Sequence, residues 1–152
     1  LRFGSAFFDK FYSHQFFHEL LEMMHQRQLN FSETIIATKC LTAAINFSGS
    51  QTQIYYLFKE EEVLPVLLSV LENDSDEDLT RDILFSIEII WEVCQNSIEN
   101  DLIPSNAADE FTTCFREESG YEILIGLKTC PEEVRRLNEL IDDPPKLDPE
   151  ED

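Results

Sequence analysis

Three histidines, His14, His18 and His25, fall on one helical face with Glu22. Side chains four residues apart on a helix lie one above the other, so His14, His18 and Glu22 could chelate a metal and support a metal-dependent activity. The pattern stops short of a His-Glu-x-x-His motif: Glu19 follows His18, but His25 is seven positions on. The competing reading is the polar face of an amphipathic helix. Asp74, Asp76 and Asp78 alternate as calcium ligands do, yet the central glycine and terminal glutamate of an EF-hand loop are missing. No Gly-x-Ser-x-Gly turn and no phosphate-cradling glycine loop occurs, and only four glycines are present to build one. The expectation is a chain without catalytic residues or cofactor, with a metal-dependent enzyme as a remote alternative.

The elements that would position a binding surface are clearer. The stretch Ile35 to Phe47 reappears about 43 residues later as Asp78 to Ile90, placing Cys40, Leu41, Ala44 and Phe47 over Ile83, Leu84, Ile87 and Ile90. An apolar set recurring at helical spacing with that period predicts an all-α fold, a right-handed α-solenoid of about three units that bury their faces by stacking. The periodicity predicts helices over 6–28, bent near Ser13, then from Asn30 through Phe47, over 51–58 and 63–71, and, after a polar turn from Glu72 to Asp78, from there to Gln95. Asn30 stands three residues before Glu33 as in a capping box, Pro65 occupies a first turn, and Ser75 is expected to cap the second long helix. That helix is apolar on most sides, so it should lie between neighbours, with Trp91 in its core. A looser third unit follows: a helix opened by Pro104 and Ser105 through Phe115, one over 121–127, and one capped by Thr129 through Ile141. Residues 1–141 thus read as one domain and 142–152, rich in acids and prolines, as a disordered acidic tail.

Charge narrows the partner. With 31 acidic against 11 basic residues the chain carries -20, a field that repels nucleic acid and anionic lipid and attracts basic segments. Cys40, Cys94, Cys114 and Cys130 lie far apart without a Cys-x-x-Cys pair, which reads as reduced thiols in an intracellular protein, cytoplasmic or nuclear. No signal peptide or membrane span is apparent. The start at Leu1 suggests a domain of a longer protein.

Val63, Leu64, Pro65, Leu67, Val70 and Leu71, then an acidic turn and Leu79, Ile83, Leu84 and Ile87, resemble the armadillo repeat, over Thr34 to Val93 and again over Tyr121 to Ile141; HEAT repeats are the alternative. The resemblance implies a non-catalytic scaffold whose third helices line a concave groove. Glu61 and Glu62 stand where the family has glycine, so the turn there should differ. In peptide-binding members of the karyopherin type a Trp and, four residues on, an Asn face the groove; the matching positions are Thr42 and Asn46, then Phe85 and Ile89, and Asn46 alone agrees. Binding of nuclear-localisation signals in that manner is therefore not implied. The predicted partner-binding residues are Lys39, Thr42 and Asn46 on the first long helix and Asp78, Asp82, Phe85, Ile89 and Glu92 on the second. They would accept a basic protein segment with a hydrophobic anchor. Phe85 and Ile89 have a second reading, as core under the third unit. The structural alternative is an end-piece of a longer solenoid that packs on further repeats or forms a homodimer.

Overall fold

The computed structural model describes residues 16–47, 50–73, 76–96 and 102–142. Among them are eight helices and no strand: α1 (Phe16–His25), α2 (Phe31–Phe47), α3 (Gln51–Lys59), α4 (Val63–Glu72), α5 (Glu77–Gln95), α6 (Ala107–Glu117), α7 (Gly120–Gly126) and α8 (Pro131–Asp142). No described helix is long and apolar enough to cross a membrane. The predicted tail beyond Asp142, the bend at Ser13, His14, Ser75 and Asp74 of the acidic turn lie outside the described residues.

Local chemistry accounts for most boundaries. The Asn30 amide donates to Glu33 Oε1 at 3.0 Å while the Glu33 amide donates to Asn30 Oδ1 at 2.8 Å, a reciprocal box that opens α2 as expected. α1 stops at His25 rather than Gln28, because Arg27 takes the left-handed conformation (φ 57°). The Gln28 amide then reaches the Met23 carbonyl and the Arg27 amide that of Met24, a Schellman closure without the glycine that would announce it. α5 is capped by Asp76, not Ser75: its carboxylate accepts the Leu79 amide at 2.8 Å. α6 starts at Ala107, after a turn in which the Ala107 amide meets the Pro104 carbonyl, later than the proline had suggested. In the turn into α4 Glu62 takes the left-handed conformation at φ 54°, which glycine adopts without a Cβ penalty.

α5 lies at the centre, packed by α2, α3, α4, α6 and α8. Eleven of its residues are buried, among them Ile83, Leu84, Ile87, Ile90 and Trp91, so it is covered on most sides as its composition predicts. From there the apolar core continues through Leu57 and Leu64 to Phe111, Phe115 and Leu137. The rings of Phe58, Phe111, Phe115 and Tyr121 follow one another at centroid spacings of 6.0, 5.8 and 4.9 Å, tying α3 to α6 and α7. At the α6–α7 junction a Cβ on Gly120 would lie 2.6 Å from the Phe115 ring, so glycine serves close approach there.

The two copies of the repeat share their inner positions and differ at their outer ones. Leu41 and Ala44 are buried like Leu84 and Ile87, but Cys40 and Phe47 are exposed where Ile83 and Ile90 are buried. One side of α2 is left uncovered.

Candidate partner-binding site

The predicted residues divide between two places. On α2, Thr42 is buried and donates to the Lys39 carbonyl, so it is not part of an exposed stripe. Asn46 is turned to α5: its Oδ1 accepts from Ser86 Oγ at 2.7 Å and its Nδ2 donates to the Asp82 carbonyl at 3.5 Å. These contacts fasten two helices, which is why the one position matching the family pattern presents no free amide to a partner. Lys39 is exposed and does not line the α5 groove described next.

On α5 the outcome is different. Phe85 is 50% exposed and, with Asp82 and the edge of Leu84, lines a groove of about 320 Å³ closed on its other side by Glu133 and Arg136 of α8. Asp78 and Glu92 are exposed above and below it; Ile89 is half-buried against the core. Phe85 thus opens into the groove, and Ile89 belongs with the packing.

The groove's charges are arranged in pairs that reach across it. Arg81 donates to Glu133 at 3.2 Å and, on its own helix, to Glu77 at 3.0 Å and Asp78 at 3.4 Å. Arg136 meets the buried Glu88 at 2.8 Å. Burial raises the Glu92 carboxyl above its ordinary range, Glu88 adds to the rise, and the Arg136 charge opposes it. Three acids and two bases among the lining residues make the groove mixed rather than purely acidic. Arg81, Glu88, Glu133 and Arg136 were not anticipated, since nothing in the spacing said which face of α5 would meet α8. A larger hollow, about 560 Å³, lies between α1, α2 and α4, with Met24, Arg27, Val66 and Asn73 in its wall and the exposed Phe31 at its edge. None of the predicted residues lines it.

The histidine face has a partner that sequence spacing did not supply. His18 Nδ1 donates to both carboxylate oxygens of Glu61, at 2.9 and 3.1 Å, and Tyr56 donates its hydroxyl to Oε2 of the same group at 3.0 Å. His25 Nε2 donates to the Glu61 carbonyl at 3.2 Å. Glu61, only 7% exposed, therefore pins α1 to the corner between α3 and α4. His18 Nε2 stands 3.8 Å from Glu22, and no group of three or more metal-ligating side chains is assembled among the described residues.

Hydrogen bonding to Glu61, then its charge, raises the His18 pKa above 6.5, with Glu22 and Glu19 adding to it and desolvation opposing. A raised histidine pKa stabilises the fold fully below pH ~6.5 and loses that stabilisation as pH climbs through the folded-state value. Thermal unfolding at a series of pH values should show this decline as pH rises above ~6.5, and His18→Gln should flatten it. An unchanged profile in the variant would remove His18 from the account.

No family model matches this chain, and neither a curated protein nor a solved structure matches it.

Proposed function

We propose that this domain is a non-catalytic protein-interaction module, an armadillo-like stack whose α5–α8 groove seats a partner segment with a hydrophobic anchor flanked by Lys or Arg. The observation that carries the reading is Phe85, half exposed in a groove where Glu88 and Glu133 are paired with Arg136 and Arg81 and the exposed Asp82 is left to meet a basic side chain. An aromatic ring partly desolvated by its own walls gains most from a complementary side chain, while the surrounding charges set orientation and association rate. The net charge of -20 argues for a basic protein and against nucleic acid. The solenoid reading draws support from α2 and α5, whose equivalent leucines are both buried. Four free thiols suit a reducing, intracellular compartment.

A panel of peptides carrying one large apolar residue between lysines tests this, with association and dissociation rates measured against the purified domain. Binding should weaken as salt rises, because exposed charges are screened over about 8 Å at physiological ionic strength. Phe85→Ala should weaken it by about 2 kcal/mol or more through faster dissociation. Asp82→Lys with Glu92→Lys should chiefly slow association. Equal affinity in folded Phe85→Ala would remove the anchor.

The volume of the α1–α2–α4 hollow favours a second seat, and the same panel distinguishes the two: loss of binding in Phe31→Ala and not in Phe85→Ala moves the site there.

A further inference from the structure

The uncovered side of α2 has the wrong chemistry for a solvent face. Ile36, Cys40, Ala43 and Phe47 follow at steps of four, three and four and so form one stripe, opposite the helix's buried side of Thr38, Leu41 and Ile45. Ile36 is 63% and Phe47 56% exposed, Cys40 is exposed and Ala43 half-buried. A helix whose core-facing side is already buried ordinarily turns polar residues to solvent, so a second apolar stripe on its outer side marks a face that meets something.

The repeat says what kind of object would cover it. Moved forward by the same offset, the stripe becomes Leu79, Ile83, Ser86 and Ile90 on α5, every one buried. Ser86, in that stripe, is the residue hydrogen-bonded to Asn46 of α2. The face is therefore one that this fold uses to receive a neighbouring helix.

Two properties indicate a second copy. The stripe is self-complementary: an antiparallel α2 related by a two-fold between Leu41 and Thr42 sets Ile36 against the other copy's Phe47 and Cys40 against its Ala43. Small side chains then sit where the helix axes cross most closely, and large ones fill the gap that opens toward the ends. The second property is charge. In a chain of -20, α2 contains one acid and one base, Glu33 and Lys39, so its face can meet its own image without local repulsion.

We propose that the Ile36, Cys40, Ala43, Phe47 face of α2 is a homodimer contact, formed isologously with the α2 of a second copy. A single helix pair lies at the low end of specific interfaces, below about 1,200 Å² in total, so the dimer dissociates on dilution. The remaining charge of the two copies opposes it, and salt strengthens it.

Sedimentation equilibrium of the whole chain, from low micromolar to submillimolar concentration, should show the mass rise from one chain toward two, more readily at high salt. Ile36→Glu and Phe47→Glu should each hold it at one. Ile125→Glu, at an equally exposed apolar residue on α7, should leave the dimer intact. A short bismaleimide should couple two copies through Cys40, and Cys40→Ser should abolish that product while still sedimenting as a dimer. Should the folding of either glutamate variant fail, as read by its thermal transition, the Cys40 coupling decides on the wild-type surface. A single-chain mass throughout at high salt overturns the proposal, as does a dimer that survives both α2 variants.

Discussion

Leu84→Ala is expected to cost about 2 to 5 kcal/mol of folding stability, and Leu41→Ala a similar amount, from the lost transfer free energy of the removed carbons plus the cavity they leave. The two leucines occupy equivalent positions of the repeat, and both are buried. Leu84 packs beneath the α5–α8 groove, and Leu41 faces inward from α2. Denaturant unfolding read as a shift in midpoint measures both. A near-neutral result at Leu84 would mean that α5 is not the centre of the core.

Phe111→Ala should be at least as damaging, about 3 to 5 kcal/mol. Phe111 is fully buried and its ring stands between those of Phe58 and Phe115, so truncation opens a hole between α3 and α6 and removes two aromatic contacts together. Tyr55 and Lys59 of α3 also reach across to Glu110, each at 2.8 Å, and these bonds fix the relative placement of the two helices, which limits how far they can shift to refill the cavity. Phe111→Leu, which keeps most of the volume, should cost much less. If both substitutions shift the midpoint equally, ring stacking rather than volume governs the site.

Much of the helical layout was legible because its signals are local. The Asn30–Glu33 box, the apolar run of α4 and the nearly all-round apolar α5 each predict an element from its own residues, and each is found. Failures fall where a non-glycine residue takes a positive φ or where distant segments meet. Arg27 and Glu62 adopt left-handed conformations that no residue type announces, so α1 ends early. Asp76 and Ser75 are both acceptable caps, and periodicity has no means of ranking them. For the site, Phe85 and Asp82 were reachable from helical spacing, whereas Arg136 lies 48 residues from the Glu88 it meets. The pairing of His18 with Glu61 spans 43 residues, beyond any spacing rule. Thr42 and Asn46 were misplaced for a related reason: the stripe was right as a stripe, but which neighbour covers it is a tertiary fact.

The central position of α5 also bears on how the chain acquires its structure. In a one-dimensional array each unit touches only the next, so the ends can melt while the middle persists. Here one helix packs closely on α2, α3, α4, α6 and α8, elements drawn from both ends of the described chain. Folding routes should therefore converge on a nucleus of α5 with α2 and α4, giving single-exponential kinetics in which core substitutions on α5 slow folding. Substitutions in α8, whose described ties to α5 include the pairs of Glu133 with Arg81 and Arg136 with Glu88 and which lies outside that nucleus, should mainly hasten unfolding.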